Sequence, residues 1–237
     1  MSIRQIIGKF HNKMIEGKGH HRYRSWEHCY GFFRQIPPAE LVARRDLAAM
    51  QLGFYLASWG MYRPSGFLLD YAYTAHLGVI DCLARPEFLP LWKTEFGGEE
   101  NDSRLIPTMV LAIQAVKEAY KEFGQATDTL ATKVILGTLG CLPACDRYFI
   151  SGFRSQDLTY SRPNVPFIKG VRSFCRDNIN EIRAEQLRIE NRTGVHYPLM
   201  KLIDMYFWQI GLDEDNGEDT ENAKEPDSIP VRGTDRQ

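Results

Sequence analysis

Asp146 is the acidic residue whose sequence surroundings are least typical of a solvent-exposed carboxylate. It follows the segment Gly-Cys-Leu-Pro-Ala-Cys of residues 140–145, and an apolar helix predicted over 128–139 precedes that segment. A carboxylate held between apolar segments can stabilise positive charge that develops during a reaction, or deprotonate an attacking water. The structural alternative is a helix N-cap, because Asp before a helix accepts backbone N–H groups and contributes roughly 1 kcal/mol. The sequence leaves both interpretations open.

Glu27 and His28 form a second polar pair, within the aromatic segment Ser-Trp-Glu-His-Cys-Tyr. Glu27 could serve as a second catalytic carboxylate, and the ring of Trp26 could stack on a substrate. The alternative is structural for both. A Glu after Ser25 suits the first turn of a helix, and aromatic residues spaced four and three apart are typical of a helix that faces a core.

The elements that must position these residues are helices. Apolar residues recur at helical spacing through most of the chain, and no stretch shows the sustained period of two that strands require. A first helical region ends at Pro37, and further helices are predicted over 39–62, 67–84, 105–122, 128–139, 146–154, 167–191 and 198–210. The range 39–62 is apolar nearly all round, which predicts a buried central helix. The sequence therefore predicts a single all-α domain.

The composition excludes several classes of protein. The chain has 237 residues, of which 43% are hydrophobic and 25% charged, as in ordinary globular domains. No stretch is apolar for long enough to span a bilayer, and the first residues lack the apolar run of a secretory signal, so we expect a cytoplasmic protein without membrane contact. The five cysteines form no C-x-x-C pair. They are predicted to be reduced and buried, with no metal site and no cofactor.

Charge is distributed unevenly along the chain. Residues 211–237 contain nine acidic and three basic residues, whereas the rest contains 26 basic and 21 acidic residues, a formal charge of +5. Nearly devoid of apolar side chains, residues 212–237 are predicted to be a disordered acidic tail after a helical domain of residues 1–211. Residues 1–24 carry a formal charge of +5 and are predicted to be a basic arm. This distribution suits a nucleic-acid binder whose tail competes for its own basic surface, and it suits a merely solubilising tail as well.

Residues 123–149, which read F-G-Q-A-T-D-T-L-A-T-K-V-I-L-G-T-L-G-C-L-P-A-C-D-R-Y-F, resemble the helix-hairpin-helix DNA glycosylases. In that superfamily a glycine-containing hairpin leads into an apolar helix. The helix ends in Gly-x-Pro-Ala or a close variant, and the catalytic Asp follows. Gly140, Pro143, Ala144 and Asp146 keep this order. The helix at 47–62 would then resemble the superfamily's early helix beside the base pocket.

The departures from the family pattern also carry information. Of the family hairpin Leu-Pro-Gly-x-Gly, only Gly124 is present. Bifunctional members carry a lysine in or just after the hairpin, where this chain has Thr129, with Lys133 one turn later. The four-cysteine iron–sulfur loop of some members is absent. The resemblance therefore implies a monofunctional enzyme without a lyase step.

The activity implied by the resemblance is excision of a damaged or modified base that has been flipped out of duplex DNA by a monomeric enzyme. Asp146 would stabilise the oxocarbenium-like state or activate the water, with Glu27 as the second candidate carboxylate. The residues expected to bind the DNA or the flipped base are Trp26, His28, Trp59, Tyr62, Arg63, Lys133, Arg147 and Tyr148. DNA repair is one role. The divergent motif favours the other, defence against phage with modified DNA.

Two other functions remain compatible with the sequence. Arg22 and His28 resemble the Arg-x4-6-His motif of helical HEPN ribonucleases, which cleave RNA with paired Arg and His side chains. In those enzymes a polar residue usually follows the Arg, whereas Tyr23 stands there in this chain. A non-enzymatic helical interaction protein is the third possibility, and it would require an exposed apolar patch.

Overall fold

The computed structural model describes residues 1–16 and 21–222, and within these ranges all regular structure is helical. No strand occurs in the described part of the chain, so the prediction of an all-α fold is confirmed. The α-helices are α1 (Ile3–Glu16), α2 (Ser25–Gln35), α3 (Pro38–Leu41), α4 (Arg45–Ser58), α5 (Leu77–Leu83), α6 (Leu89–Lys93), α7 (Ile106–Ala119), α8 (Asp128–Thr138), α9 (Arg147–Arg154), α10 (Val165–Asp177), α11 (Ile179–Thr193) and α12 (Leu199–Asn222). Short 3-10 turns join several of them.

Helix α8 is a buried centre of this arrangement. Every residue from Leu130 to Thr138 is buried, and α2, α4 and α7 pack against the helix. Thr127 caps it, because its side-chain oxygen accepts a hydrogen bond from the backbone N–H of Leu130 at 3.2 Å. Gly140 follows it with a φ of +67°, at a place where a Cβ would lie 2.6 Å from the ring of Tyr30. Only glycine adopts this backbone conformation without strain and leaves room for the ring, so Gly140 allows the chain to turn after α8.

Helix α4 is not the buried central helix that its composition predicted. Leu47, Met50 and Phe54 are 44%, 44% and 63% exposed, whereas Leu52 and Leu56 are buried. The three exposed residues are spaced three and four apart, so they form one stripe along the helix. Helices α2, α5 and α8 contact α4 but leave this stripe uncovered. An all-round apolar pattern therefore did not identify which face is buried.

Two glycines bring the backbones of α9 and α12 into contact. A Cβ on Gly152 would lie 2.0 Å from the carbonyl oxygen of Phe207, and a Cβ on Gly211 would lie 2.0 Å from the carbonyl oxygen of Tyr148. No larger residue fits at either position. Because α9 starts directly after Asp146, this crossing fixes the helix behind the candidate carboxylate against α12.

Three predicted helices are divided in the structure. The range 67–84 contains two 3-10 turns, Phe67–Asp70 and Tyr73–His76, followed by α5. The range 167–191 contains α10 and α11, because Asn178 interrupts the helix there and its side-chain amide donates to the carbonyl oxygen of Phe174 at 2.8 Å. The range 39–62 contains α3, a 3-10 turn and α4, and α4 ends at Ser58, two residues before Gly60 with its φ of +72°. The break at Asn178 and the end of α4 before Gly60 thus occur at residues that tolerate a non-helical backbone.

Helix α1 belongs to the core and is not a separate basic arm. Ile3, Ile7 and Phe10 are buried, and α1 packs on α11 and α12. The prediction of an arm is therefore wrong for Ile3–Glu16, because one face of this basic segment is apolar. The predicted arm also includes residues 17–20, which lie outside the described residues.

Helix α12 continues to Asn222, past residue 212, where the disordered tail was predicted to begin. Lys9 Nζ donates to Asp213 at 2.7 Å, and Ser151 Oγ donates to Glu214 at 3.1 Å. Acidic side chains near the predicted boundary are thus held by α1 and α9. The prediction is wrong for 212–222, and the remaining tail residues lie outside the described part.

The cysteines are all free and buried, as predicted. Burial raises the pKa of the Cys141 and Cys175 thiols to about 12, so neither forms a thiolate at neutral pH. Among the described residues, no helix combines the length and hydropathy needed to cross a membrane.

Two buried histidines are uncharged in this fold. Neither ring nitrogen of His11 has a hydrogen-bond partner, and burial, followed by the charge of Arg188, lowers its pKa from 6.5 to about 4. His76 lies between the hydroxyl groups of Tyr62 at 2.8 Å and Tyr120 at 2.7 Å. Burial lowers the pKa of His76 to about 4 as well. Each histidine therefore takes up a proton more readily in the unfolded chain.

We expect the free energy of unfolding to fall as the pH drops from 6.5 toward 4, the interval between the unfolded and folded pKa values of both histidines. Each one contributes a slope of up to about 1.4 kcal/mol per pH unit, because the folded chain binds fewer protons there. Urea unfolding at neutral pH and at several acidic pH values measures the slope. His11→Leu, which removes no hydrogen bond, should roughly halve the histidine contribution. An unchanged slope in that variant would contradict the assignment to His11.

Candidate active site around Asp146

Asp146 caps helix α9. Its backbone is extended, with φ −93° and ψ 177°, and its Oδ1 accepts a hydrogen bond from the N–H of Phe149 at 3.1 Å. This geometry confirms the N-cap interpretation of the sequence. The cap uses one carboxylate oxygen, and the side chain is 16% exposed, so capping does not exclude a chemical role.

The other oxygen of Asp146 pairs with Lys133. The lysine Nζ lies 2.9 Å from Asp146 Oδ2, and the lysine side chain is only 5% exposed. Lys133 projects from the buried helix α8, where a lysine is rare and needs a partner of opposite charge. The sequence indicated Lys133 only through the family resemblance, whereas the structure joins it directly to the candidate carboxylate.

Aromatic rings surround Lys133 and a second buried lysine, Lys201. The ring centre of Trp59 lies 5.0 Å from Lys133 Nζ and 5.1 Å from Lys201 Nζ. Lys201 Nζ also lies 5.2 Å from the ring centre of Trp26 and 5.3 Å from that of Phe10. Desolvated cation–π contacts are worth up to about 2 kcal/mol each. Trp59 therefore links the two buried cations.

Lys201 has a carboxylate partner of its own. Its Nζ lies 2.8 Å from Asp204 Oδ2, with both side chains buried. Asp204 Oδ1 accepts a hydrogen bond from the backbone N–H of Ala144 at 3.0 Å. Through this bond α12 holds the turn that presents Asp146. Removing one partner of a buried ion pair costs about 3–5 kcal/mol, because the other charge is left uncompensated.

Tyr55 adds a buried hydroxyl group to the surroundings of Asp146 and Asp204. Burial raises its pKa well above the ordinary value, and the charges of Asp204 and Asp146 raise it further. Tyr55 is therefore neutral at physiological pH and keeps its proton as a potential hydrogen-bond donor.

Partly exposed aromatic rings lie at the edge of the cluster that surrounds Lys133 and Lys201. Tyr23 stacks on Trp59, with ring centres 4.6 Å apart and planes 18° from parallel. Trp208 makes edge contacts with Trp59 at 6.1 Å and with Tyr148 at 5.2 Å. Tyr23, Trp59 and Tyr148 are half-buried. Rings of this kind can stack on nucleic-acid bases, which is worth about 1–3 kcal/mol per base.

Arg147 adds an exposed cation next to Asp146. Its guanidinium carbon lies 4.4 Å from the ring centre of Tyr148, and its side chain is 72% exposed. The structure thus connects five of the residues singled out from the sequence, namely Trp59, Lys133, Asp146, Arg147 and Tyr148.

Trp26 is not available for stacking on a base. It is fully buried, and its Nε1 donates to the carbonyl oxygen of Leu136 at 3.1 Å. Trp26 contacts the candidate site through the ammonium group of Lys201. The core interpretation of this residue therefore fits the structure better than a role in base stacking.

Glu27 and His28 line a separate cavity of about 730 Å³. Glu27 is buried, and it accepts hydrogen bonds from Arg24 Nε at 2.8 Å and from the Tyr197 hydroxyl at 2.6 Å. The carboxylate of Glu27 therefore connects α2 with Tyr197 in the segment before α12. His28 is exposed. Arg22, the other half of the HEPN-like pair, lies over the Tyr23 ring at 5.3 Å, and its pairing with His28 stays a prediction.

Tyr62 and Arg63 lie in the segment after α4. The Tyr62 hydroxyl bonds to His76, so it has a structural partner. Arg63 is exposed and lines a cavity of about 220 Å³ together with Gln125 and Thr127, which lie directly before α8. Arg63 thus places a cation beside the turn between α7 and α8.

Sequence reasoning missed Lys201, Asp204, Tyr23 and Trp208. A signal for the first two existed, because a lysine and an aspartate three residues apart interrupt the otherwise apolar run Leu199–Trp208. Charges in such a run must pair when the helix is buried. Tyr23 and Trp208 gave no signal beyond their aromatic character, since their stacking depends on the packing of α12 against α1 and α9.

Comparison with models of protein families, with curated proteins and with solved structures gave no match. A functional assignment therefore depends on the geometry around Asp146.

Proposed function

We propose that this chain is a monofunctional DNA glycosylase that excises a flipped, damaged or modified base, with Asp146 as its catalytic carboxylate. The supporting observation is the position of Asp146, which is oriented by Lys133 and by the Phe149 N–H and is bordered by partly exposed aromatic rings. A carboxylate offers about four lone-pair sites. Two of them are used in the free chain, so Asp146 retains capacity to accept a water.

The chemistry follows from this arrangement. A target base inside a duplex is flipped out at an unstacking cost of a few kcal/mol, and it would stack against Tyr148, because Tyr23 and the two lysines already cover the Trp59 ring. The glycosidic bond breaks through an oxocarbenium-like state, whose positive charge Asp146 stabilises. Asp146 then deprotonates the water that attacks the sugar. Arg147 would contact a flanking phosphate, which positions the duplex without reading its sequence.

The segment before α8 supports a contact with DNA. Residues 120–127 join α7 and α8 as a hairpin of two helices, and Gly124 packs so closely on Phe67 that a Cβ would lie 2.7 Å from the ring. Close packing is therefore one reason why this position is glycine. Arg63 beside the hairpin supplies a cation for a phosphate.

The position of Lys133 favours a monofunctional enzyme. A lysine that attacks the sugar must be unprotonated, whereas Lys133 makes an ion pair with Asp146. We therefore assign Lys133 the role of orienting Asp146. The divergent motif favours a base of modified phage DNA over a common repair lesion as the substrate. A panel of duplexes, each with a single modified or damaged base and scored for abasic sites, tests the excision activity and identifies the base.

The exposed stripe of Leu47, Met50 and Phe54 favours a second candidate function, a non-enzymatic interaction protein. Phe54 alone is 63% exposed, and apolar patches on soluble proteins often mark binding surfaces. Such a function would not need Asp146. It would be lost on Phe54→Asp and kept when the Lys133–Asp146 pair is replaced, whereas a glycosylase would show the opposite pattern.

The double variant Asp146→Asn/Lys133→Met should lose base excision by about 100-fold or more in single-turnover rate, because it removes the carboxylate charge. Asn at 146 keeps the cap. The double variant is needed because Asp146→Asn alone would leave the buried ammonium of Lys133 unpaired, which destabilises the fold. The measurement is the rate of abasic-site formation at saturating enzyme, with thermal unfolding as the folding check.

The second buried pair provides a matched control. Lys201→Met/Asp204→Asn removes an ion pair of the same kind and leaves an acceptor for the Ala144 N–H. It should slow excision far less than the first double variant does, at a similar loss of stability, because it keeps the carboxylate of Asp146. Equal rates in the two double variants would mean that Asp146 acts only as a structural residue.

Treatment of the reacting complex with borohydride should trap no covalent adduct between protein and DNA. Borohydride reduces an imine between a lysine and the sugar, and Lys133 as an ion-paired ammonium forms none. Denaturing electrophoresis of labelled DNA measures the adduct. An adduct that disappears in Lys133→Met would show that the enzyme is bifunctional instead.

A further inference from the structure

The acidic end of α12 contacts the basic groups that flank Asp146. Asp215 Oδ2 accepts hydrogen bonds from Arg147 at 3.1 Å and from the Tyr148 hydroxyl at 3.2 Å. Asp213 pairs with Lys9 at 2.7 Å on the neighbouring helix α1. Consecutive acidic residues of one helix thus bridge α1 and α9 on the side where Asp146 is presented.

These donors are the ones that a nucleic-acid backbone would use. Arginine guanidinium and tyrosine hydroxyl groups are frequent phosphate ligands, and Arg147 and Tyr148 directly follow the candidate catalytic residue in the chain. In the free chain, Asp215 places a carboxylate oxygen between these two groups. Its contacts therefore imitate those of a phosphate oxygen.

The acidic contacts are suited to exchange with a ligand. Arg147 and Asp215 are 72% and 42% exposed, and exposed ion pairs contribute only about 0–1 kcal/mol. The anchoring of α12 comes from elsewhere, namely the backbone contact of Gly152 and Gly211 and the hydrogen bond that Asp204 accepts from the Ala144 N–H. Release of the acidic residues would therefore not require α12 to leave α9.

We propose that Asp213 and Asp215 form a built-in competitor for DNA phosphates, which occupies Lys9, Arg147 and Tyr148 until a duplex displaces it. This inference deepens the proposed function, on which it rests, by adding regulation of the same site. It predicts weaker DNA binding by the intact chain than its basic groups alone would give. Selectivity would increase, because only a duplex with additional contacts displaces the carboxylates.

The test is the affinity of the full chain for a fluorescein-labelled duplex, measured by anisotropy at low salt. The variant Asp213→Asn/Asp215→Asn should bind more tightly than the control Glu87→Gln/Glu118→Gln. The control makes the same change in net charge and removes two exposed ion pairs, with Arg85 and Lys121. The expected difference is roughly fivefold in Kd, with unchanged thermal unfolding.

A double-mutant cycle connects the effect to one contact. Asp215→Asn should tighten binding less in the Arg147→Gln background than in the wild-type background, because one of the two donors that Asp215 covers is then absent. Equal affinities of the test and control variants, or an equal gain in both backgrounds, would overturn this inference while leaving the glycosylase proposal standing. If none of the chains binds the duplex, the proposed function itself fails.

Discussion

Two buried lysine–aspartate pairs that share the ring of Trp59 are the interaction on which the rest of the site depends. Lys133 belongs to α8, Asp146 begins α9, and Lys201 and Asp204 belong to α12. A buried charge without its partner costs several kcal/mol. The Lys133–Asp146 pair therefore holds α8 and the start of α9 together, whereas α12 is joined to them by the hydrogen bond of Asp204 to the Ala144 N–H and by the contact of Lys201 with Trp59. The carboxylate at the start of α9 is thus fixed in position relative to the aromatic rings.

Stability alone does not explain these charges. Well-packed apolar residues in place of a buried ion pair are often neutral or even stabilising, and the enclosure of Phe10, Trp26 and Trp59 could accommodate apolar side chains. Two such pairs beside one partly exposed carboxylate are better explained by a requirement for defined charge positions.

The sequence allowed some of this to be predicted, for reasons that the structure makes clear. The all-α class, the extent of α8 and the cap at Asp146 are local properties, set by periodicity, by Gly140 and by the residues that flank each helix. The Asp204–Ala144 bond and the stacking of Tyr23 on Trp59 join residues far apart in the chain, which no local pattern encodes. The exposed face of α4 and the continuation of α12 also depend on which neighbours are present, as with Lys9 and Asp213.

The crossing of α9 and α12 at Gly152 and Gly211 has a consequence for relatives of this chain. Side-chain chemistry at a binding surface can change during evolution, but a position where a Cβ would lie 2.0 Å from a carbonyl oxygen cannot accept another residue while the crossing persists. The spacing Asp-x5-Gly from Asp146, combined with Lys-x2-Asp-x6-Gly from Lys201, is thus a steric and electrostatic signature. Chains that share it would be recognisable as homologues even where the hairpin before α8 has diverged beyond comparison.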